Sequence, residues 1–168
     1  PEFSGDQTYK DKGFDFKVRL FKERKFLPQV AAGIRDFAGT GVFSAEYLAL
    51  SKRVGSSDFT FGIGYGSLAN NSIKNPLSII SNRFENRDIT LSNTQGGEPN
   101  FNKFFRGEAG YFAGIETVLE TKKGVRLKIE YDGTDYTKEG FPYGGESFKY
   151  AFKPVQQPQS RFNGGVVW

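Results

Sequence analysis

The stretch from residue 29 to residue 66, QVAAGIRDFAGTGVFSAEYLALSKRVGSSDFTFGIGYG, is patterned with a period of two. Phe59, Phe61, Ile63 and Tyr65 alternate with Asp58, Thr60, Gly62, Gly64 and Gly66. An extended chain sends successive side chains to opposite faces, so the aromatics share one face and the small or polar residues the other. The same rule puts Phe43, Ala45, Tyr47 and Ala49 on one face of the preceding strand, against Ser44, Glu46 and Lys52. The residues from Val54 to Asp58 read as a tight turn between the two, with Gly55 supplying the difficult backbone angles.

The pattern extends along the chain. Strands are predicted over 14–21, 27–35, 42–53, 58–66, 105–119, 125–132 and 161–168. Phe14, Phe16, Val18 and Leu20 alternate with Asp15, Lys17 and Arg19; Val125, Leu127, Ile129 and Tyr131 alternate with Arg126, Lys128, Glu130 and Asp132. Two segments break the alternation, 68–103 and 133–160, both rich in turn-forming residues and read as long loops, the second with a possible short strand over 148–152. Loops of this length in a compact domain are usually functional. No segment shows a 3.6-residue period, and no apolar run approaches the ~20 residues of a membrane helix. The fold class expected is all-β and antiparallel, in a single unit over 1–168.

Composition narrows the chemistry. There is no histidine and no cysteine among the 168 residues, which removes a Ser-His-Asp triad, thiolate metal sites and disulfides; no metal or cofactor is expected. There is no methionine either, so a processed protein or an excised fragment is expected. The net charge of +4 is mild and carries no basic run or helical reader, so no nucleic-acid partner is expected.

Alternation alone leaves two solvents open for the apolar face. In a soluble sandwich or barrel that face is the core; in an outer-membrane barrel it meets lipid and the polar face lines the lumen. Loop length favours the membrane. The connections run short, moderate, short, very long, short, very long, as expected if tight turns sit at one rim and long loops at the other. Phe14, Phe43, Tyr65, Phe105 and Tyr131 then fall at the long-loop rim, where an aromatic girdle belongs. The reading is an up-and-down transmembrane β-barrel, about seven strands of it. An open sheet would leave two unpaired edges in lipid, so a further chain or subunit is expected to close it. A general outer-membrane porin and a soluble carbohydrate-binding β-domain are the alternatives.

The segments GIRDFAGTGVFSAEYL (33–48), SKRVGSSDFTFGIGYG (51–66), FFRGEAGYFAGIE (104–116) and RLKIEYDGTDY (126–136) resemble the YjbH family of outer-membrane exopolysaccharide and capsule proteins, to which GfcD is related. NPL at 75–77 and, more weakly, FNGGVVW at 162–168 extend the likeness over most of the chain, the long loops matching least. The resemblance implies a lipoprotein-type barrel in the bacterial outer membrane, of which this chain is a segment without the lipobox cysteine. It implies a role beside other envelope proteins in producing or exporting a polysaccharide, and carries no catalytic residue set.

On the barrel reading the lumen-lining candidates are Asp15, Lys17, Arg19, Arg35, Glu46, Glu108, Glu116, Arg126, Lys128, Glu130 and Asp132. Mixed charge on facing strands makes an ion-pair lattice that pins register; the same lining offers Arg19, Arg35, Arg126 and Lys128 to the carboxylates of an acidic glycan. Glu108 and Glu130 invite a glycosidase reading if they face one another, but with bases nearby, pairing is the better account and no enzyme activity is expected. Tyr136, Phe141, Tyr143, Phe148 and Tyr150 in the second long loop offer rings that either anchor the loop or stack on sugars.

Overall fold

The computed structural model describes residues 13–39, 43–69, 73–87, 101–119, 124–136 and 157–168. Seven strands follow in chain order: β1 (Phe14–Phe21), β2 (Gln29–Phe37), β3 (Ala45–Val54), β4 (Ser57–Gly66), β5 (Ala109–Val118), β6 (Arg126–Tyr131) and β7 (Phe162–Val167). Each is hydrogen-bonded to its sequence neighbours and antiparallel to them, in the order β1-β2-β3-β4-β5-β6-β7. This is the expected up-and-down meander. Among the described residues the sheet is open, with β1 and β7 each bonded to a single neighbour.

The strands lie close to their expected positions, and the differences are physical. β5 begins at Ala109 instead of residue 105, because Phe105 and Gly107 both have positive φ (57° and 80°) and turn the chain just before it. β2 runs on to Phe37, past the expected end at residue 35, and Asp36 then Ala38 take φ near 55° at the turn. The region predicted as a featureless loop holds two 3-10 turns, Pro76–Ile79 and Asn82–Phe84, capped by the side chains of Asn75 and Ser81. The possible strand over 148–152 lies outside the described residues.

Registers fix the faces. Lys17, Gly33, Tyr47, Gly64 and Gly110 make one row across five strands, and Arg19, Ala31, Ala49, Gly62 and Phe112 the next row on that face. The opposite face carries rows such as Leu48-Ile63-Tyr111 and Leu50-Phe61-Ala113-Tyr131-Phe162. β3 is therefore inverted relative to the expectation. Leu48 and Leu50, not Ala45, Tyr47 and Ala49, belong to the apolar face, and Glu46 and Lys52, the latter ion-paired to Glu23, lie with them. Phe43 precedes the strand and sets no phase, while alanine suits either side of a sheet.

The apolar face has no second layer over its middle among the described residues: Phe59, Phe61 and Ile115 are each over 40% exposed. An open depression of about 430 Å³ lies there, lined by Leu50, Phe59, Phe61, Ala113, Ile115 and Ile129 among others. Both very long connections, between β4 and β5 and between β6 and β7, leave the same rim, and the tight β3-β4 turn is at the other. The β1-β2 and β2-β3 connections are seven residues each, so the short-and-moderate distinction between that pair does not hold.

Candidate functional site

The charged face is the product of register. Lys17 and Arg19 on β1, Arg35 on β2, Glu116 on β5, and Arg126, Lys128 and Glu130 on β6 all point to one side of the sheet. Glu116 is held between two bases, 2.9 Å from Lys128 Nζ and 3.3 Å from Arg126 Nη1. Asp58, its partner on β4, lies 4.0 Å from Arg53. These are cross-strand pairs of the expected lattice. One hydroxyl pair extends it, Ser51 with Thr60 at 3.0 Å; Ser57 and Thr117, 2.9 Å apart, pair on the opposite face.

Four of the sequence-predicted lining residues sit elsewhere. Asp15 lies at the irregular register between Phe14 and Phe16, where its carboxylate accepts the Asp36 backbone N–H at 3.0 Å. Glu108 precedes β5 and borders a small cavity of about 230 Å³ with Ile73, Lys74, Asn75 and Glu85. It does not face Glu130, which pairs with Gly114, six residues further along β5. At ~3.4 Å per residue the two carboxylates are roughly 20 Å apart, outside the range in which a glycosidase pair works.

Glu46 is the largest departure. It is fully buried on the apolar face, at the long-loop rim. Arg87, from the β4-β5 connection, clamps it in fork geometry: Nη1 donates to Oε2 at 2.7 Å and Nη2 to Oε1 at 3.0 Å. The Phe105 N–H adds a third donor at 2.9 Å. The guanidinium spends its other donors on Ser44 Oγ (2.6 Å) and the Lys103 carbonyl (2.8 Å). Asn75 completes the seam, its amide nitrogen donating to the carbonyls of Phe84 and Phe105. The described part of the connection is thus a packed cap on the ends of β3, β4 and β5. Its one sequence clue was the Leu48/Leu50 phase; Arg87 lies in a segment with no periodicity and gave none.

Asp132 follows β6 and organises the other long connection. It accepts from the Thr134 N–H at 2.8 Å and from the Tyr136 hydroxyl, and Arg161 donates to the Asp132 and Thr134 carbonyls. Burial pushes the Asp132 carboxyl upward, but the hydrogen bonds from Tyr136 and Thr134, with Arg161 nearby, outweigh it and hold the group below the usual aspartate range. The Asp135 N–H reaches the Ser67 carbonyl at 2.9 Å, tying this connection to the end of β4. Tyr136 is thereby an anchor; the other four loop aromatics lie outside the described residues.

The five rim aromatics divide. Phe14 is exposed on the edge strand, and Phe43 stands outside the strands. Tyr65 is buried beneath Phe105, ring centres 5.6 Å apart, so this pair packs the cap and offers no exposed belt. Tyr131 stacks on Tyr111 at 5.1 Å and meets Phe162 edge-on at 5.3 Å, an aromatic ladder across β5, β6 and β7. No group of His, Cys, Asp or Glu among the described residues is arranged to hold a metal ion.

Fold and face together define an amphipathic antiparallel sheet, apolar on one surface, charged on the other and capped at one rim. The chain belongs to the YjbH family, described as exopolysaccharide biosynthesis protein YbjH, which matches residues 1–168. It is 42% identical over 167 residues to the uncharacterized lipoprotein YjbH of Escherichia coli strain K12, an alignment covering 99% of this chain and 22% of that protein. The chain thus spans about a fifth of that relative's length. No solved structure matches it.

Proposed function

We propose that this chain is a segment of an outer-membrane β-barrel that assists the production or export of an exopolysaccharide, acting as conduit or scaffold and making or breaking no bonds. The observation that carries the reading is the apolar face, whose middle no described residue covers. Phe59, Phe61, Ile115 and Ile129 stand exposed on a sheet whose other side gathers the charges. Water on both faces leaves that aromatic surface without a reason, whereas lipid on one and water on the other accounts for both. Family membership supplies the polysaccharide, and the relative's description as a lipoprotein agrees with an envelope location. The partners are membrane lipid, the polysaccharide, the other envelope proteins that handle it, and further chain pairing with the free edges of β1 and β7.

The test is made in cells. Deleting the gene abolishes or reduces secreted polysaccharide under inducing conditions while the passage of unrelated solutes is unchanged; normal secretion refutes the export role. The full-length protein stays in outer membranes washed with carbonate and urea and shifts on heating in SDS gels. Release into the soluble fraction makes the apolar face a core.

A further inference from the structure

Two aromatic side chains rise from the charged face, and both lean over glycine. Tyr47 on β3 pairs with Gly33 on β2, and its ring occupies the space a Gly33 Cβ would take. Phe112 on β5 pairs with Gly62 on β4 and covers it in the same way. The rings lean in one direction, toward β1, and face each other with centres 6.3 Å apart and planes at 80°. Glycine beneath each ring lets it lie across the neighbouring strand, where a Cβ would force it upright. Leaning rings keep the face open and present aromatic surface in two orientations side by side.

The charges nearest Tyr47 are positive, whereas the charge nearest Phe112 is Glu130, across from Gly114 two residues along β5. Lys17 shares the row of Tyr47 beyond Gly33, and Arg19 lies two residues from Lys17 on β1, four strands or about 19 Å from Phe112. Lys17 is two strands from Tyr47, about 10 Å. Arg35 pairs with Ala45, two residues from Tyr47 along β3. All three cations are exposed. The acids of this face sit on the β4–β6 side: Glu116 and Asp58 beside bases, and Glu130 across Gly114. A pyranose ring has a C–H face that packs on a π surface and hydroxyls at its edge; a uronic or pyruvylated sugar adds a carboxylate.

We propose that Tyr47 and Phe112, with Lys17, Arg19 and Arg35 on the Tyr47 side, form a subsite that stacks pyranose rings across both aromatics and holds the carboxylates of an acidic polysaccharide toward β1 and β2. It rests on the exopolysaccharide reading above and narrows it to a glycan class and named side chains. The probe is tetragalacturonate, with maltotetraose as the neutral comparison, titrated calorimetrically into the full-length protein in detergent. Tetragalacturonate binds at least about tenfold tighter than maltotetraose at low salt, and the margin shrinks as salt screens the cations. Tyr47→Leu and Phe112→Leu keep an apolar cover on Gly33 and Gly62 but have no π face; each weakens binding about tenfold. Tyr47→Phe and Phe112→Tyr bind within about twofold of wild type, and Arg19→Gln reduces the acid preference. Heat-dependent migration confirms that each variant is folded. Absence of binding by wild type, equal affinity for the two sugars, or Leu variants that bind as wild type overturns the subsite. Complementation separates the two levels: a deletion strain with normal polysaccharide refutes the export reading, whereas a defective deletion strain fully restored by both Leu variants refutes the subsite alone.

Discussion

Replacing Arg87 by methionine keeps much of the side chain's volume and removes its charge. Glu46 is fully buried and receives three donors, two from Arg87 and one from the Phe105 N–H. The substitution strips two charge-assisted bonds from a carboxylate that water cannot reach, and leaves Ser44 Oγ and the Lys103 carbonyl without that donor. Such bonds are worth roughly 1.5–3 kcal/mol each, and breaking a buried pair from one side costs about 3–5 kcal/mol. At ~1.4 kcal/mol per decade, even ~3 kcal/mol raises the opening equilibrium of the cap by about a hundredfold. Hydrogen exchange on the full-length protein reads this at Ile73 and Gly107, whose N–H groups bond to the Ala109 and Phe84 carbonyls across the cap. Their exchange accelerates by about two orders of magnitude in Arg87→Met, and the Glu46→Met/Arg87→Met double variant recovers most of it because no charge is left stranded. Exchange in Arg87→Met within about twofold of wild type refutes the clamp.

Three further outcomes are expected. Because the Asp132 carboxyl is held below its ordinary value, its contribution is fully present above an unfolded pKa of about 4 and is lost as pH falls through the lower folded value; protease cutting in the 132–161 connection rises in that acid window for wild type, and Asp132→Asn is equally susceptible at neutral and acid pH. Glu116→Gln, at a partly exposed ion-pair site, leaves the urea unfolding midpoint close to that of wild type. Gly62→Ala places a Cβ inside the Phe112 ring and costs about 1–3 kcal/mol by the same measurement, while Gly62→Ala/Phe112→Ala recovers most of it.

Strand order and the facing of most strands were legible because period-two patterning is written in every residue of a strand. Phe59, Phe61 and Ile63 fixed the phase of β4, and Leu127 and Ile129 that of β6. β3 was misphased because Ala45, Tyr47 and Ala49 fit either surface; its phase is carried by Leu48 and Leu50. That one slip sent Glu46 to the wrong face and hid Tyr47 among the apolar residues, so both the rim clamp and the aromatic corner escaped notice. Arg87 was unreadable for a different reason. It lies 41 positions from Glu46, in a connection whose conformation comes from capping and tertiary hydrogen bonds instead of periodic burial. The same holds for Asp132, whose N–H continues the ladder to the Arg161 carbonyl but whose carboxylate is taken up by Thr134 and Tyr136 of the connection.

On the proposed function, lipid covers the apolar face and water the charged one. A nitroxide scan of β4 in the full-length protein, in native outer membranes, distinguishes the two solvents. Labels at Phe59 and Phe61 report high accessibility to oxygen and low accessibility to a polar nickel chelate, and labels at Asp58 and Thr60 the reverse. Labels at Phe59 and Phe61 shielded from both reagents mean that the face is a protein core, and the membrane-barrel account fails.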